Sequence, residues 1–137
     1  MILSIETIER ERIKLTLVDR LLRPADGGAR NDSTKCYEFE TQDQSADLLT
    51  VIDKVLKNHS SRLARTVTLK DLTAILVNQG PGSYTGVRIG ATVANTLAWS
   101  LDIPVYGFKN GELDKKFAEI TKSSEKKFSK IVTPIYE

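Results

Sequence analysis

Short apolar segments with strand periodicity occupy the first third of the chain. Residues 2–5 are almost wholly apolar, which favours a strand that is covered on both faces in the middle of a sheet. Apolar and polar residues alternate with period two over residues 13–17 and again over residues 36–39, and this alternation predicts two more strands. Residues 23–33, rich in glycine, aspartate and asparagine, predict a long hairpin connection between them.

The next segment has the spacing of an amphipathic helix. Ser45 is a good N-cap residue, and the sequence predicts that this helix ends near Lys57 or Asn58. Apolar residues between these points recur at steps of three and four, which places them on one side of a helix. They are Leu48, Val51, Ile52, Val55 and Leu56.

The second half of the chain alternates strands with helices. Buried-strand patterns cover residues 73–77 and 104–108, while residues 87–101 have helical spacing and residues 113–120 predict a weaker helix. The order is therefore strand, strand, strand, helix, strand, helix, strand, helix. This order predicts an α/β fold with a hairpin-led, mixed, five-stranded sheet, in which helices return the chain between the later strands.

Composition limits the class of protein. A chain of 137 residues is long enough for one domain with a real core. Its 20 lysines and arginines nearly balance 18 aspartates and glutamates, and a net charge of +2 does not indicate electrostatic capture of nucleic acid. With one cysteine, Cys36, and an N-terminus that lacks a basic start and a long apolar run, we expect a cytoplasmic protein without disulfide, signal peptide or membrane span.

A glycine-rich loop over residues 80–86 joins the predicted fourth strand to the second helix. A helix N-terminus can hold an anion, so the loop is a candidate phosphate site. Its spacing differs from G-x-G-x-x-G, however, and no lysine follows the last glycine as a P-loop requires. The alternative is that the glycines only allow a tight turn. The residues of the candidate phosphate loop are Gly80, Gly82, Ser83, Thr85 and Gly86.

The helix after this loop has two contrasting sides. Gly86, Gly90 and Ala94 share a face with larger apolar residues, and close approach to the sheet would offset the cost of a glycine within the helix. The opposite side carries Arg88, Thr92, Asn95 and Trp99. An outward tryptophan is a candidate interface anchor. The alternative is that Trp99 covers the strand near Tyr106 as peripheral core.

Other candidate chemistry is weak. His59 is the only histidine, so it forms no metal-binding pair and reads as a solvated helix end. Glu6 and Asp19 could form a carboxylate pair, but nothing in the spacing fixes their separation. The lysine-rich residues 109–130 lack interleaved aromatic residues, which favours a solvated surface over a tRNA contact. We therefore expect no catalytic residue, no metal site and no cofactor.

Three segments give the sequence a family resemblance: MILSIETI, QSADLLTVIDKVL and DLTAILVNQGPGSYTGVRIGATVANTLAWSLDIPVYGF. Together they resemble the TsaB (YeaZ) family, the non-catalytic dimerisation subunit for threonylcarbamoyladenosine synthesis in tRNA. The resemblance covers residues 1–108 and implies the N-terminal domain of an actin-like ATPase (ASKHA, ribonuclease H-like) fold. Residues 109–137 would then be a lysine-rich helix and the start of a second domain that is missing, in either a reduced member or a fragment.

The resemblance also implies partners. Family subunits bind the catalytic paralogue TsaD through their first two helices, so the surface here would be the outward sides of residues 45–57 and 87–101. A homodimer without the partner, a TsaE-like ATPase and indirect contact with tRNA are further expectations; no membrane is involved. The implied partner-binding residues are Leu49, Asp53, Leu56, Thr92, Asn95, Thr96 and Trp99.

The chain departs from the family pattern in two places. Glu6-Thr7-Ile8 stands where the family usually has Asp-Thr-Ser, and Gln44 stands where a histidine commonly opens the first helix. Neither change would remove catalysis from a subunit that has none. The alternative function is a phosphate-binding or nucleotide-binding remnant, although in the actin-like fold nucleotide is held between two domains.

Overall fold

The computed structural model describes residues 1–18, 34–63, 66–122 and 132–133. A mixed sheet with helices on both faces forms from these ranges, in the order predicted from the sequence. A short 3₁₀ turn, Leu69–Asp71, precedes the fourth strand. The elements are β1 (Ile2–Glu6), β2 (Arg12–Val18), β3 (Thr34–Glu40), α1 (Gln44–Leu63), β4 (Ala74–Asn78), α2 (Tyr84–Leu101), β5 (Val105–Phe108) and α3 (Leu113–Lys122).

The sheet has the strand order β3-β2-β1-β4-β5. β1 pairs antiparallel with β2 and parallel with β4, so that Ile2 lies opposite Val18 on one side and Ala74 on the other. β2 pairs antiparallel with β3, and β4 pairs parallel with β5. The predicted α/β class and the central position of the apolar first strand are therefore confirmed.

Period two in β1 divides the core between the two faces of the sheet. Leu3 and Ile5 lie in the larger cluster, which includes the apolar sides of α1 and α2. Ile2 lies in the smaller cluster, with Leu113 and Phe117 of α3 packed against it. Helices α1 and α2 thus share one face of the sheet and α3 covers the other.

Helix α1 differs from its prediction at both ends. Its N-cap is Asp43 rather than Ser45, because Asp43 Oδ1 accepts hydrogen bonds from the Ser45 N–H (3.1 Å) and the Ala46 N–H (3.2 Å). The helix also continues to Leu63, beyond the predicted end near Lys57 or Asn58. None of the described helices is long and apolar enough to cross a membrane.

His59 is buried in this longer helix, so the prediction of a solvated helix end is wrong. It follows Val55 by four residues and Ile52 by seven, and both of these residues are in the core. The imidazole therefore continues the buried side of α1. The expected hairpin connection over residues 23–33 and the carboxylate of Asp19 lie outside the described residues.

Candidate partner-binding surface and glycine loop

The glycines at the start of α2 let the helix touch the end of β1. Helix α2 begins at Tyr84, three residues before the predicted start, with Ser83 as its N-cap. A Cβ atom at Gly86 would collide with the backbone oxygen of Thr7, and one at Gly90 would collide with the Thr7 hydroxyl. A Cβ atom at Gly82 would lie 2.8 Å from Ile8 Cβ. Close packing therefore explains these glycines without any ligand.

Three backbone donors of the candidate phosphate loop are already bonded within the chain. The Gly80 N–H donates to Asn78 Oδ1 (2.9 Å) and the Ser83 N–H donates to the Ile8 carbonyl (2.8 Å). The Gly86 N–H donates to Ser83 Oγ (3.3 Å), although Thr85 is exposed. A bound phosphate would need such N–H groups to be available. These bonds favour the tight-turn interpretation of the loop.

Gln44 holds α1 against the β1–β2 hairpin. Its side chain is buried, and its Nε2 lies within hydrogen-bonding distance of the carbonyl oxygens of Thr7 (3.3 Å), Glu9 (2.6 Å) and Arg12 (2.9 Å). The residue that departs from the family pattern therefore has a structural role in this chain. Of the three carbonyl oxygens, only that of Thr7 belongs to a buried residue, and the carboxamide is the donor that this oxygen needs.

Glu6 also has a structural partner. It is half-buried at the end of β1, and its Oε1 accepts a hydrogen bond from Asn78 Nδ2 at 3.2 Å. Within the described ranges, no three His, Cys, Asp or Glu side chains are grouped so that they could hold a metal ion.

The outward sides of α1 and α2 expose two large apolar residues. Leu49 is 57% exposed and Trp99 is 86% exposed. The indole therefore does not cover the strand near Tyr106, and the peripheral-core alternative is wrong. Asp53 is also exposed and pairs with Lys57 at 2.9 Å, one turn further along α1.

Exposed threonines line α2 before the tryptophan. Thr92 and Thr96 are both exposed, and the Thr96 hydroxyl donates to the Thr92 carbonyl at 2.8 Å. Five of the seven implied partner residues are therefore accessible on the two neighbouring helices. They are Leu49, Asp53, Thr92, Thr96 and Trp99.

Two of the implied partner residues are not accessible in this way. Leu56 is only 4% exposed and packs in the main core, so it cannot lie on an outward surface. Its spacing of four from Ile52 already placed it on the buried side of α1. Asn95 is half-buried, and both ends of its carboxamide bond to the backbone of Val132.

An exposed aromatic residue at the start of α2 was missed in the sequence analysis. Tyr84 is 59% exposed, and the Arg88 guanidinium lies 5.3 Å from the centre of its ring. Arg88 also lines a shallow groove between the two helices with Ser45, Thr85 and Thr92. The spacing of four between Tyr84 and Arg88 could have indicated this pair.

Two solved structures share the architecture of this chain. One is a crystal structure of an uncharacterized protein with similarity to peptidase YEAZ from Pseudomonas aeruginosa, with a TM-score of 0.64 over 88% of this chain and 48% of that one. The other is YeaZ from Pseudomonas aeruginosa, with a TM-score of 0.63 over 88% of this chain and 49% of that one. Both are 21% identical to this chain. The chain therefore has an α/β fold of the actin-like ATPase class.

Sequence comparison adds the family. The family model described as "TsaD: tRNA N6-adenosine threonylcarbamoyltransferase" matches residues 39–113, more than half of the chain. The chain belongs to this family and, within it, to the TsaB (YeaZ) type.

Two curated relatives represent this type. TsaB of Bacillus subtilis is 40% identical over 90 residues, which cover 59% of this chain and 36% of that protein. TsaB of Haemophilus influenzae is 33% identical over 81 residues, which cover 59% of this chain and 32% of that protein. Both are named tRNA threonylcarbamoyladenosine biosynthesis proteins. The chain spans about a third of the length of these relatives.

Proposed function

We propose that this chain is a non-catalytic scaffold subunit in the biosynthesis of threonylcarbamoyladenosine in tRNA. It pairs with a TsaD-like catalytic partner, which supplies the metal, the nucleotide and the chemistry of threonylcarbamoyl transfer to adenosine. The names of the curated relatives support the pathway. The shared family model supports a paralogous pair, because a transferase family model matches a chain of the TsaB type.

The observation that carries the proposal is the exposure of Trp99 on the outward side of α2. Tryptophan is enriched among the residues that contribute most binding energy in protein interfaces. The indole of Trp99 is exposed to solvent in the free chain, so a partner that covers it would bury a large apolar surface. Leu49 adds a second apolar anchor on the neighbouring helix. The exposed threonines and Asp53 supply the polar surroundings that interface anchors need.

The same surface is self-complementary in type, so the chain forms a homodimer when the partner is absent. A TsaE-like ATPase joins the assembly, and tRNA is contacted through the partner. The complex works in the cytoplasm.

A sizing column and a titration with a purified TsaD-like subunit test the proposal. We expect the chain to shift to a complex, and Trp99→Ala to weaken binding by at least about tenfold, as expected for an interface anchor. Cys36→Ser, on the β3 edge of the sheet, is the control and should bind like the wild type. A wild-type chain that never shifts would contradict the pairing, and equal binding by Trp99→Ala would remove the tryptophan from the interface.

A phosphate-binding or nucleotide-binding remnant is the alternative, and it has less support. Three N–H groups of the 80–86 loop are bonded internally. Calorimetric titration with millimolar ATP or ADP separates the two functions. The scaffold proposal expects no heat of binding. A signal that disappears in Thr85→Ala, an exposed position whose change leaves the turn intact, would favour the nucleotide site.

A further inference from the structure

Asn95 on α2 binds a distant piece of main chain with both ends of its carboxamide. Its Nδ2 donates to the Val132 carbonyl at 2.8 Å, and its Oδ1 accepts from the Val132 N–H at 2.8 Å. A neighbouring strand pairs with a residue through the same two groups, one donor and one acceptor. The Asn95 side chain therefore pairs with Val132 as one residue of a neighbouring strand would, although the two residues are 37 positions apart in the chain.

A second side chain holds the next residue. Gln79 follows β4, and its Nε2 donates to the Thr133 carbonyl at 2.9 Å. A Cβ atom at Gly107 of β5 would collide with the Gln79 side chain. Because Gly107 has no side chain, the Gln79 side chain has room to lie against β5.

Burial of an apolar side chain completes the contact. Val132 is 4% exposed and belongs to the main core cluster, whereas Thr133 is exposed. The contact therefore selects one apolar side chain and otherwise binds main-chain groups. Such a site fits an extended peptide of varied sequence with one apolar residue, the chemistry by which peptides add to sheet edges.

We propose that Asn95, Gln79 and the space left by Gly107 form a main-chain binding site that the chain's own Val132 and Thr133 occupy. We call this site the backbone clamp. After β5 the chain passes through α3 on the opposite face of the sheet and returns to the clamp beside α2. The clamp fixes the position of Val132 and Thr133 against the end of β4 and the side of α2. Asn95 is therefore a positioning residue for the chain itself and is not part of the partner surface.

Amide hydrogen exchange on the intact chain, read by NMR, tests the clamp. We expect the Val132 amide to be protected in the wild type and to exchange at least about tenfold faster in Asn95→Ala, because its acceptor is gone. Ser100→Ala, an exposed change on the same helix, is the matched control and should leave the protection unchanged. Protection of the Ile75 amide in β4, which bonds to the Pro104 carbonyl, reports whether the sheet stays folded.

A second variant separates the clamp from a general loss of structure. Asn95→Asp keeps the acceptor for the Val132 N–H and loses the donor to its carbonyl, so Val132 should exchange more slowly in this variant than in Asn95→Ala. Unprotected Val132 in the wild type, full protection in Asn95→Ala, or equal exchange in the two variants would each overturn the proposal. Protection that appears only at protein concentrations where dimers form would also overturn it, because a second copy would then fill the site.

Partner binding distinguishes this inference from the scaffold function. Asn95→Ala should bind the TsaD-like subunit within about threefold of the wild type, since its carboxamide faces Val132. Trp99→Ala should leave Val132 protected. A loss of Val132 protection in Trp99→Ala, or a loss of partner binding in Asn95→Ala with the sheet intact, would contradict the separation of the two surfaces.

Discussion

The hydroxyl of Thr7 donates a hydrogen bond to the carbonyl oxygen of Gly86 at 2.6 Å, across 79 positions of sequence. This bond joins the residue after β1 to the first turn of α2, and both residues are buried. Thr7 also occupies the space where side chains at positions 86 and 90 would lie. The contact between strand end and helix start is therefore fixed by one threonine and two glycines.

Gly86→Ala should destabilise the chain by about 1–3 kcal/mol, the cost of overpacking a tight interior, because its methyl group would meet the Thr7 backbone oxygen. That oxygen belongs to the main chain beside β1 and has little freedom to move. Urea denaturation measures the free energy of unfolding. Thr85→Ala, the exposed neighbour, is the control and should change it by less than about 0.5 kcal/mol.

Gly90→Ala should destabilise the chain less when Thr7 is also changed to alanine. Its methyl group would meet the Thr7 hydroxyl, which Thr7→Ala removes. In a double-mutant cycle we expect a favourable coupling of about 1 kcal/mol or more for Thr7→Ala with Gly90→Ala, and little relief of Gly86→Ala by the same change. Equal coupling in both pairs would contradict the assignment of Gly86 to the backbone oxygen of Thr7 and of Gly90 to its hydroxyl.

Two leucines on α1 should separate stability from binding. Leu49→Ala should change the free energy of unfolding by less than about 0.5 kcal/mol, because the side chain is 57% exposed, and should weaken binding of the TsaD-like subunit. Leu56→Ala should cost about 2–5 kcal/mol, because it leaves a cavity in the core. Thermal unfolding and the partner titration measure the two effects. A stability loss in Leu49→Ala as large as in Leu56→Ala would contradict the assignment of an outward face.

Gln44→Met should destabilise the chain by about 1–3 kcal/mol, the cost of leaving the carbonyl of the buried Thr7 without its donor. Methionine has a similar shape but donates no hydrogen bond to the carbonyls of Thr7, Glu9 and Arg12. Gln42→Met, an exposed change two residues earlier, is the control. Equal unfolding midpoints for the two variants would mean that water satisfies the hairpin carbonyls.

Asp43 should make the N-terminus of α1 sensitive to acid. Hydrogen bonds from the Ser45 side chain, and then from the Ala46 N–H, lower the pKa of Asp43 from 3.8. A lowered folded-state pKa contributes stability that is present above pH 3.8 and is lost as the pH falls through the folded-state pKa. The stability advantage of the wild type over Asp43→Asn should therefore shrink on acidification.

An NMR titration of the Asp43 carboxyl group checks the cause. Ser45→Ala removes the largest contribution, so the pKa of Asp43 should move up towards 3.8. An unchanged titration in Ser45→Ala would assign the effect to the helix N–H groups instead.

Local periodicity was sufficient to predict the α/β class and the order of the elements. The apolar first strand, the alternating β2 and β3 and the glycine-bearing face of α2 each follow from side-chain direction alone, and the structure has them in the predicted order. The N-cap of α1 was misassigned because Asp43 and Ser45 are both good capping residues. Only the hydrogen bonds to Asp43 Oδ1 decide between them.

The candidate surface was predicted less well because two of its residues depend on information beyond the local pattern. Leu56 was carried over from the family resemblance against its own helical spacing, which placed it in the core. The environment of Asn95 depends on Val132, which is distant in sequence and follows no motif. The side of α2 that carries Trp99 was predicted from its spacing to Gly86 and Gly90, whereas its exposure was not, because the sequence left a peripheral-core position open.

The contact at Gly86 also fixes the rotation of α2 about its own axis, and hence the direction in which each later side chain points. Thirteen residues at about 100° each place Trp99 roughly 140° around the axis from Gly86 and about 20 Å along it. A helix turned by one residue would push Val87 against Thr7, where even a methyl group has no room. The missing side chain at Gly86 thereby determines that the indole of Trp99, some four turns further along α2, faces solvent.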